Sequence, residues 1–316
     1  MPAVETHGLS KRYGSLVAVE DLNLAVQAGE VLGVLGPNGA GKTTAIRVLT
    51  TILAPSRGSF AVAGFPHTRP AEIRRRIGVL PESAGYPERQ TGEEYLSYHA
   101  RLYGHTRGSA RAVTRELLEE VGLLDRRKSL IASYSRGMRQ RLGIARTLVN
   151  DPEVVFLDEP TLGLDPAGQR QVLGNVQSVA RKRGAAVLLS THLLTEVEEN
   201  CSRVLILNHG RVIAEGTVAE VVQRAAAPRS ARLHVAPEHA ELAAAVLSNT
   251  DGVEVGRADG QPGWLTVVFA PPGEHTADGS PNDAVRTLLD SGVTLLSFEL
   301  EGARLSDAFL AMTEAA

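Results

Sequence analysis

The chain has 316 residues, of which 43% are hydrophobic and 22% charged, a composition typical of a soluble globular protein with room for two domains. No apolar run approaches the roughly 20 residues that a membrane-spanning helix needs. The single cysteine, Cys201, cannot form an internal disulfide, and we expect it to be a buried apolar residue. The first residues lack the apolar core of a secretory signal, which predicts a cytoplasmic protein.

Charge is distributed unevenly along the chain. Residues 1–224 hold 28 Lys and Arg against 23 Asp and Glu, whereas residues 225–316 hold 5 against 13. Basic residues are scattered among acidic ones and form no extended basic face, so we expect no nucleic-acid partner. The change of sign near residue 225 indicates a second domain.

Short apolar runs rich in Val, Ile and Leu predict buried strands. These runs lie at Val31–Leu35, Ile77–Leu80, Val154–Leu157, Ala186–Ser190 and Val204–Leu207. Helical spacing predicts helices over Thr44–Leu53, Gln169–Arg183 and Leu194–Cys201. The alternation is typical of an α/β fold whose mostly parallel sheet is covered by helices.

Two regions depart from this alternation. Residues 93–149 contain apolar residues at helical spacing, which predicts a helical subdomain at about 91–149 inserted into a domain that spans 1–224. From residue 231 the predicted order is strand, helix, strand, strand, helix, strand, as in a ferredoxin-like α+β domain. We assign this small domain to residues 230–316, with an exposed loop at 271–281 and a final helix over Leu305–Met312.

A phosphate-binding motif, G-x-x-x-x-G-K-[ST], lies between the first of these strands and the following helix. It is formed by Gly36, Pro37, Asn38, Gly39, Ala40, Gly41, Lys42 and Thr43. Glycines allow the backbone to curl around phosphate oxygens and direct its N–H groups at them. We expect Lys42 to bind the β and γ phosphates, Thr43 to coordinate Mg²⁺, and the helix N-terminus near Thr44 to attract the same anion.

Two carboxylates follow the strand predicted at Val154–Leu157. We expect Asp158 to hold Mg²⁺ through water and Glu159 to polarise the water that attacks the γ-phosphate. A solvated turn is the alternative interpretation of these residues.

The segment Tyr134-Ser135-Arg136-Gly137-Met138 resembles the signature sequence of ABC ATPases. Further elements are similar to this family in order and spacing, namely Tyr13, Leu164-Asp165 and Ser190-Thr191-His192. The resemblance covers residues 4 to about 222. It implies a P-loop ABC ATPase cassette that uses ATP and Mg²⁺.

The resemblance also implies roles for individual residues. Tyr13 would stack on adenine, Asp165 would lie in the loop that crosses a dimer interface, and His192 would contact the γ-phosphate. In the implied homodimer, Ser135 and Gly137 of each subunit close on the ATP held by the other. Ser135 independently suits the cap of a helix whose N-terminus attracts an anion. In isolation, Tyr13 is also compatible with strand packing and His192 with a core histidine.

Three positions depart from the family pattern. Arg136 replaces a glycine and Met138 a glutamine in the signature, and Glu82 replaces a glutamine in a loop that touches Mg²⁺ and the membrane partner. A carboxylate at Glu82 can still accept a metal-water contact, although its charge alters the electrostatics. Arg136 suits the motif if it points to solvent or adds to phosphate binding.

The cassette, the Pro81-Glu82 pair and the C-terminal segment Leu305–Thr313 together resemble the ATPase subunits of drug exporters of the daunorubicin-resistance type. The resemblance implies a subunit at the inner face of the membrane that powers a separate polytopic permease, whose coupling helices dock between residues 82 and 103. An importer ATPase and a soluble ABC ATPase acting on ribosomes or DNA stay open as alternatives. A non-enzymatic ATP-binding scaffold is disfavoured because Glu159 and His192 are both present.

Overall fold

A computed structural model of the chain describes residues 1–224, 229–257, 262–269, 281–301 and 305–314. The chain divides into two compact units, Met1–Val218 and Ala219–Ala316. The boundary predicted at residue 224 lies at the end of a helix that begins at Val218. Most of the loop predicted at 271–281 lies outside the described residues; Pro281 begins a helix.

The first unit combines strands and helices in alternation. Its strands are β1 (Val4–Tyr13), β2 (Leu16–Val26), β3 (Val31–Leu35), β4 (Arg57–Val62), β5 (Phe65–Pro66), β6 (Ile77–Leu80), β7 (Val154–Asp158), β8 (Ala186–Thr191), β9 (Arg203–Asn208) and β10 (Arg211–Thr217). Its helices are α1 (Lys42–Leu49), α2 (Pro70–Arg76), α3 (Gly92–Leu102), α4 (Arg107–Glu120), α5 (Arg136–Thr147), α6 (Pro166–Arg183) and α7 (Leu194–Asn200). A further helix, α8 (Val218–Arg224), follows.

The central sheet has the strand order β10-β9-β3-β8-β7-β6. Its five strands from β9 to β6 pair in parallel, and only the edge strand β10 is antiparallel to its neighbour. All five are the strands predicted from apolar runs, so the α/β prediction is confirmed. Parallel neighbours end at the same edge, which brings the residues after β3, β7 and β8 together there.

Both faces of this sheet are covered, which explains the continuous apolar runs. Along β7, Val155 and Leu157 belong to one core cluster, with α5 and α6. The alternate residues Val154 and Phe156 belong to a second cluster, with α1 and the smaller sheet. Every residue of β7 is therefore buried.

The smaller sheet of the first unit, in the order β2-β1-β4-β5, is antiparallel and was not predicted. Only alternate residues of β1 are buried over its first half, so its apolar signal is diluted by polar residues. This sheet contains Ala18 and its neighbours, which form one wall of the candidate functional site.

Residues 91–149 are helical, as predicted, and consist of α3, α4 and α5 with two short 3₁₀ turns at Leu124–Arg126 and Ile131–Ser133. Each helix is preceded by a Thr or Ser whose hydroxyl group accepts a hydrogen bond from a backbone N–H of the first turn, which has no partner within the helix. Thr91 accepts from the backbone of Glu94 in a capping box, and Thr106 accepts from Ser109.

The second unit has the strands β11 (Arg229–Val235), β12 (Val253–Arg257), β13 (Trp264–Phe269) and β14 (Leu295–Glu301). Its helices after α8 are α9 (Ala240–Ser248), α10 (Pro281–Asp290) and α11 (Leu305–Glu314). The antiparallel sheet has the order β12-β13-β11-β14, the ferredoxin-like arrangement that the element order predicts. Leu233, Val267 and Phe269 of the sheet are covered by Leu247 and Leu288 of the helices.

Within the described part of the chain, no helix combines the length and apolarity that crossing a bilayer requires.

Cys201 provides a chemical probe of the first unit. It packs against the core, and burial, with a smaller effect of the Glu196 carboxylate, raises the pKa of its thiol to about 12. Alkylation requires the thiolate, so we expect iodoacetamide at pH 8 to modify the native protein far more slowly than the urea-unfolded protein. Cys201 is partly buried rather than fully buried as expected. Mass spectrometry of the single cysteine measures both rates, and equal rates would contradict its packing against the core.

Candidate functional site

The loop between β3 and α1 is shaped by its glycines. Gly41 precedes the helix with a φ of 106°, in the left-handed region that favours glycine. A β-carbon there would lie 2.2 Å from the carbonyl oxygen of Ala18, and one at Gly36 would lie 2.3 Å from that of Leu207. Glycine at both positions therefore allows the loop to pack closely on β2 and β9.

Lys42 turns its side chain back into this loop. Its ammonium group donates to the carbonyl oxygens of Gly36 at 2.7 Å and Pro37 at 3.2 Å. The same Nζ atom lies 3.6 Å from Oε1 of Glu159, and both side chains are buried. A positive charge thus lies at the centre of the loop, as phosphate binding requires.

Asp158 ends β7 beside the loop. Its Oδ1 accepts from Thr43 Oγ1 at 3.3 Å and also from the hydroxyl of Ser190. Oxygen ligands suit Mg²⁺, which is commonly held by one or two protein groups together with phosphates and water. Among the described residues no three His, Cys, Asp and Glu side chains converge on one point. Thr43 and Asp158 therefore fit a magnesium ion that the nucleotide helps to bind.

Glu159 is fixed between two partners. Its Oε2 lies 2.8 Å from His192 Nδ1, while its other carboxylate oxygen faces Lys42. The backbone N–H of Glu159 donates to the carbonyl oxygen of Ser190 at 3.1 Å. Its φ of 49° is a conformation that non-glycine residues rarely adopt and that clusters at functional sites. The carboxylate is thus held in place at the wall of the phosphate loop.

A cavity of about 870 Å³ opens above the loop, and its volume suits a nucleotide. The predicted residues that line it are Tyr13, Asn38, Gly39, Ala40, Gly41, Lys42, Thr43, Thr44, Glu82, Glu159 and His192. Gly36, Pro37 and Asp158 adjoin it through their bonds to Lys42 and Thr43. The structure therefore brings together residues from across the predicted cassette.

Five lining residues were missed, namely Leu16, Val17, Ala18, Leu162 and His209. The first three belong to the unpredicted smaller sheet. His209 has a φ of 47° at the turn between β9 and β10, and its neighbour Gly210 donates to the carbonyl oxygen of Ala40 in the phosphate loop. A His-Gly pair after an apolar strand was the available signal for that turn.

Ser135, Gly137 and Asp165 do not line this cavity. The Ser135 hydroxyl caps α5 by accepting from the backbone of Met138 at 3.2 Å, as predicted for a helix cap. Asp165 caps α6 by accepting from Gly168 at 3.1 Å. Both caps are exposed.

A phosphate loop and an acidic strand end at one edge of a parallel sheet define a P-loop nucleoside triphosphatase. Residues 19–162 match the ABC transporter family. The chain is 41% identical over 316 residues to the daunorubicin/doxorubicin resistance ATP-binding protein DrrA of Streptomyces peucetius, covering 98% of this chain and 92% of that protein. The chain belongs to the ATP-binding proteins of ABC transporters and is an ATPase.

Solved structures share the cassette fold. An ATP-binding subunit of an ABC transporter superposes with a TM-score of 0.63 at 34% identity, covering 70% of this chain and 92% of that chain. The cassette MJ0796, described as a dimeric post-hydrolysis state bound to ADP and Pi, has a TM-score of 0.62 at 22% identity. That comparison covers 68% of this chain and 98% of that chain and shows the fold alone.

Two glycines of the phosphate loop offer a matched test of its packing. Gly41 and Gly39 both have positive φ, but a β-carbon at Gly39 meets nothing within 4 Å. We expect Gly41→Ala to lower the free energy of unfolding by about 1–3 kcal/mol more than Gly39→Ala, because only the former forces the loop away from Ala18. Urea unfolding without nucleotide measures the difference, and equal losses would rule out the packing explanation.

Proposed function

We propose that the chain is the ATP-hydrolysing subunit of a drug, antibiotic or hydrophobic-compound exporter and that it powers a separate polytopic permease. It works as a homodimer with ATP and Mg²⁺ at the inner face of the membrane. The observation that carries the hydrolytic part is the placement of Glu159 between Lys42 and His192 at the wall of the cavity.

The residues divide the chemistry among them. Lys42 and the loop N–H groups bind the phosphates, and Tyr13, 43% exposed at the far wall of the cavity, stacks on the base. Thr43 and Asp158, together with Glu82 of the cavity lining, would hold Mg²⁺, which neutralises phosphate charge when bound.

Glu159 accepts the proton of the attacking water, because its contacts with Lys42 and His192 hold the carboxylate in a fixed orientation. His192 orients that carboxylate and reaches toward the γ-phosphate.

The dimer explains the residues that lie outside the cavity. Ser135 caps α5 and Gly137 lies in its first turn; Ser135 and Asp165 are exposed, and Gly137 is half-buried. Such a helix start attracts an anion once a second subunit presents its ATP there. The dimeric description of MJ0796 is compatible with this arrangement.

A second surface supports docking of a permease. A cavity of about 290 Å³ is lined by Thr50, Ile52, Arg74, Ile77, Gly78, Val79, His99, Tyr103, Arg146 and Thr147. Beside it, Tyr98 and Leu102 of α3 are also exposed apolar side chains. Clustered exposed apolar residues mark interaction surfaces. His99 of α3 and Tyr103, which follows that helix, fall within the segment 82–103 that the family resemblance assigns to coupling helices.

Hydrolysis is tested by replacing the proposed base. Glu159→Gln removes proton acceptance but keeps the side-chain shape, so we expect ATP binding to persist and turnover to fall by about 10²–10⁴ fold. Phosphate release measures turnover, and nucleotide binding is followed by fluorescence.

With ATP this variant should elute as a dimer on size-exclusion chromatography. A monomer under saturating ATP would contradict the composite site, and unchanged turnover would remove Glu159 from the mechanism.

Docking is tested at Ile52, which is 66% exposed beside the proposed permease surface. A buried charge opposes docking, so Ile52→Glu should reduce co-sedimentation with membranes that contain the proposed permease. Leu130→Glu, at a position that is 50% exposed and lines none of the cavities described here, is the matched control. Equal loss in both variants would contradict the assignment of this surface.

Drug accumulation in inverted vesicles measures the direction of transport. Transport of the drug in the direction opposite to export would identify an importer.

A further inference from the structure

The guanidinium group of Arg136 lies directly against Gly163. Arg136 is the first residue of α5, and Gly163 lies in the loop between Glu159 and α6. A β-carbon at Gly163 would lie 2.5 Å from Nη1 and 2.7 Å from Cζ of Arg136. The group thus occupies the space that any other residue at 163 would need for its side chain.

The neighbouring residues make a second contact between the same two segments. A β-carbon at Gly137 would lie 3.9 Å from Cδ2 of Leu164. Two consecutive residues of α5 therefore lie close to two consecutive residues of the loop. Gly163 has a φ of 70°, so the loop backbone also requires glycine at this point.

This loop reaches the nucleotide site within a few bonds. The backbone N–H of Leu162 donates to the carbonyl oxygen of Glu159 at 3.2 Å, and that of Leu164 donates to Thr161 at 3.1 Å. Leu162 itself lines the nucleotide cavity. A shift of Gly163 is therefore transmitted through a short hydrogen-bonded turn to Glu159.

We propose that Arg136 is a positioning residue that holds the loop 161–165 against the start of α5. Ser135, which directly precedes Arg136, belongs to the surface that would contact the partner's ATP, whereas Glu159 acts on the chain's own ATP. Arg136 therefore connects these two sites. The inference rests on the proposed function. The inference explains why the side chain of Arg136, at the position where the family signature has glycine, is exposed and yet lies against the loop.

The first test separates turnover from binding. Arg136→Ala removes the contact with Gly163 and leaves the phosphate loop intact, so we expect kcat to fall about fivefold while the KM for ATP stays within about twofold. Arg136→Lys, whose four-carbon stem covers part of Gly163, should restore at least about half of kcat. Arg111→Ala is the matched control, because Arg111 is an exposed arginine of α4. Circular dichroism and size-exclusion chromatography check folding, and Arg136→Gly replaces the alanine variant if that variant does not fold.

A double-mutant cycle isolates the contact itself. In a Gly163→Ala background the added β-carbon displaces the guanidinium group, so truncation of Arg136 should then lower kcat by less than about twofold. An equal loss of kcat in both backgrounds would overturn the proposal. So would an Arg136→Ala variant that behaves like Arg111→Ala.

These outcomes are separate from failure of the proposed hydrolytic mechanism. That failure would appear as undiminished turnover in Glu159→Gln, whichever residue stands at position 136.

Discussion

Parallel pairing of β3, β8 and β7 is the constraint on which the site depends. Successive backbone hydrogen bonds set Leu35 beside Thr191 and Asp158 beside Ser190. The residues that follow each strand consequently meet at one edge, although Thr43 and Asp158 are 115 positions apart along the chain. Strand register thus brings together the cation of the loop, the two carboxylates and the histidine.

Register of this kind is stable only because both faces of the sheet are covered. β7 sends alternate residues into two different clusters, one shared with the helical insertion and α6, the other with α1 and the smaller sheet. A slip by one residue would exchange those sets and displace Asp158 and Glu159 from the loop. The same strand register thus determines both the packing of the interior and the geometry of the site.

The sequence predicted those parts of the molecule that depend on contiguous residues. The phosphate loop and the acidic strand end are short motifs that follow fully buried strands, so motif and strand support each other. The capping role of Ser135 was likewise available from residue type and position. The order of elements in the second unit was enough to predict its sheet.

Features that depend on contacts between segments distant in the sequence were not predicted. Strands β1 and β2 bury alternate residues over parts of their length, and β4 begins with three exposed residues, so none has a continuous apolar run. His209 joins the cavity through a turn far along the chain, fixed by a bond from Gly210 to Ala40. The contact of Arg136 with Gly163 depends on how a helix start meets a loop, which no local pattern records. The predicted helix Thr44–Leu53 ends at Leu49, and Thr51 enters the left-handed region just beyond it, with a φ of 61°.

The inward fold of Lys42 has a consequence for the kind of ligand that the pocket accepts. Its ammonium group already has two carbonyl acceptors and a carboxylate nearby, and that carboxylate is shared with His192. The opposite charges of the pocket are therefore partly balanced by contacts within the protein. Only a ligand that offers several anionic oxygens at once can outcompete this set of bonds. Discrimination in favour of a triphosphate thus begins with the contacts by which the protein satisfies its own charges.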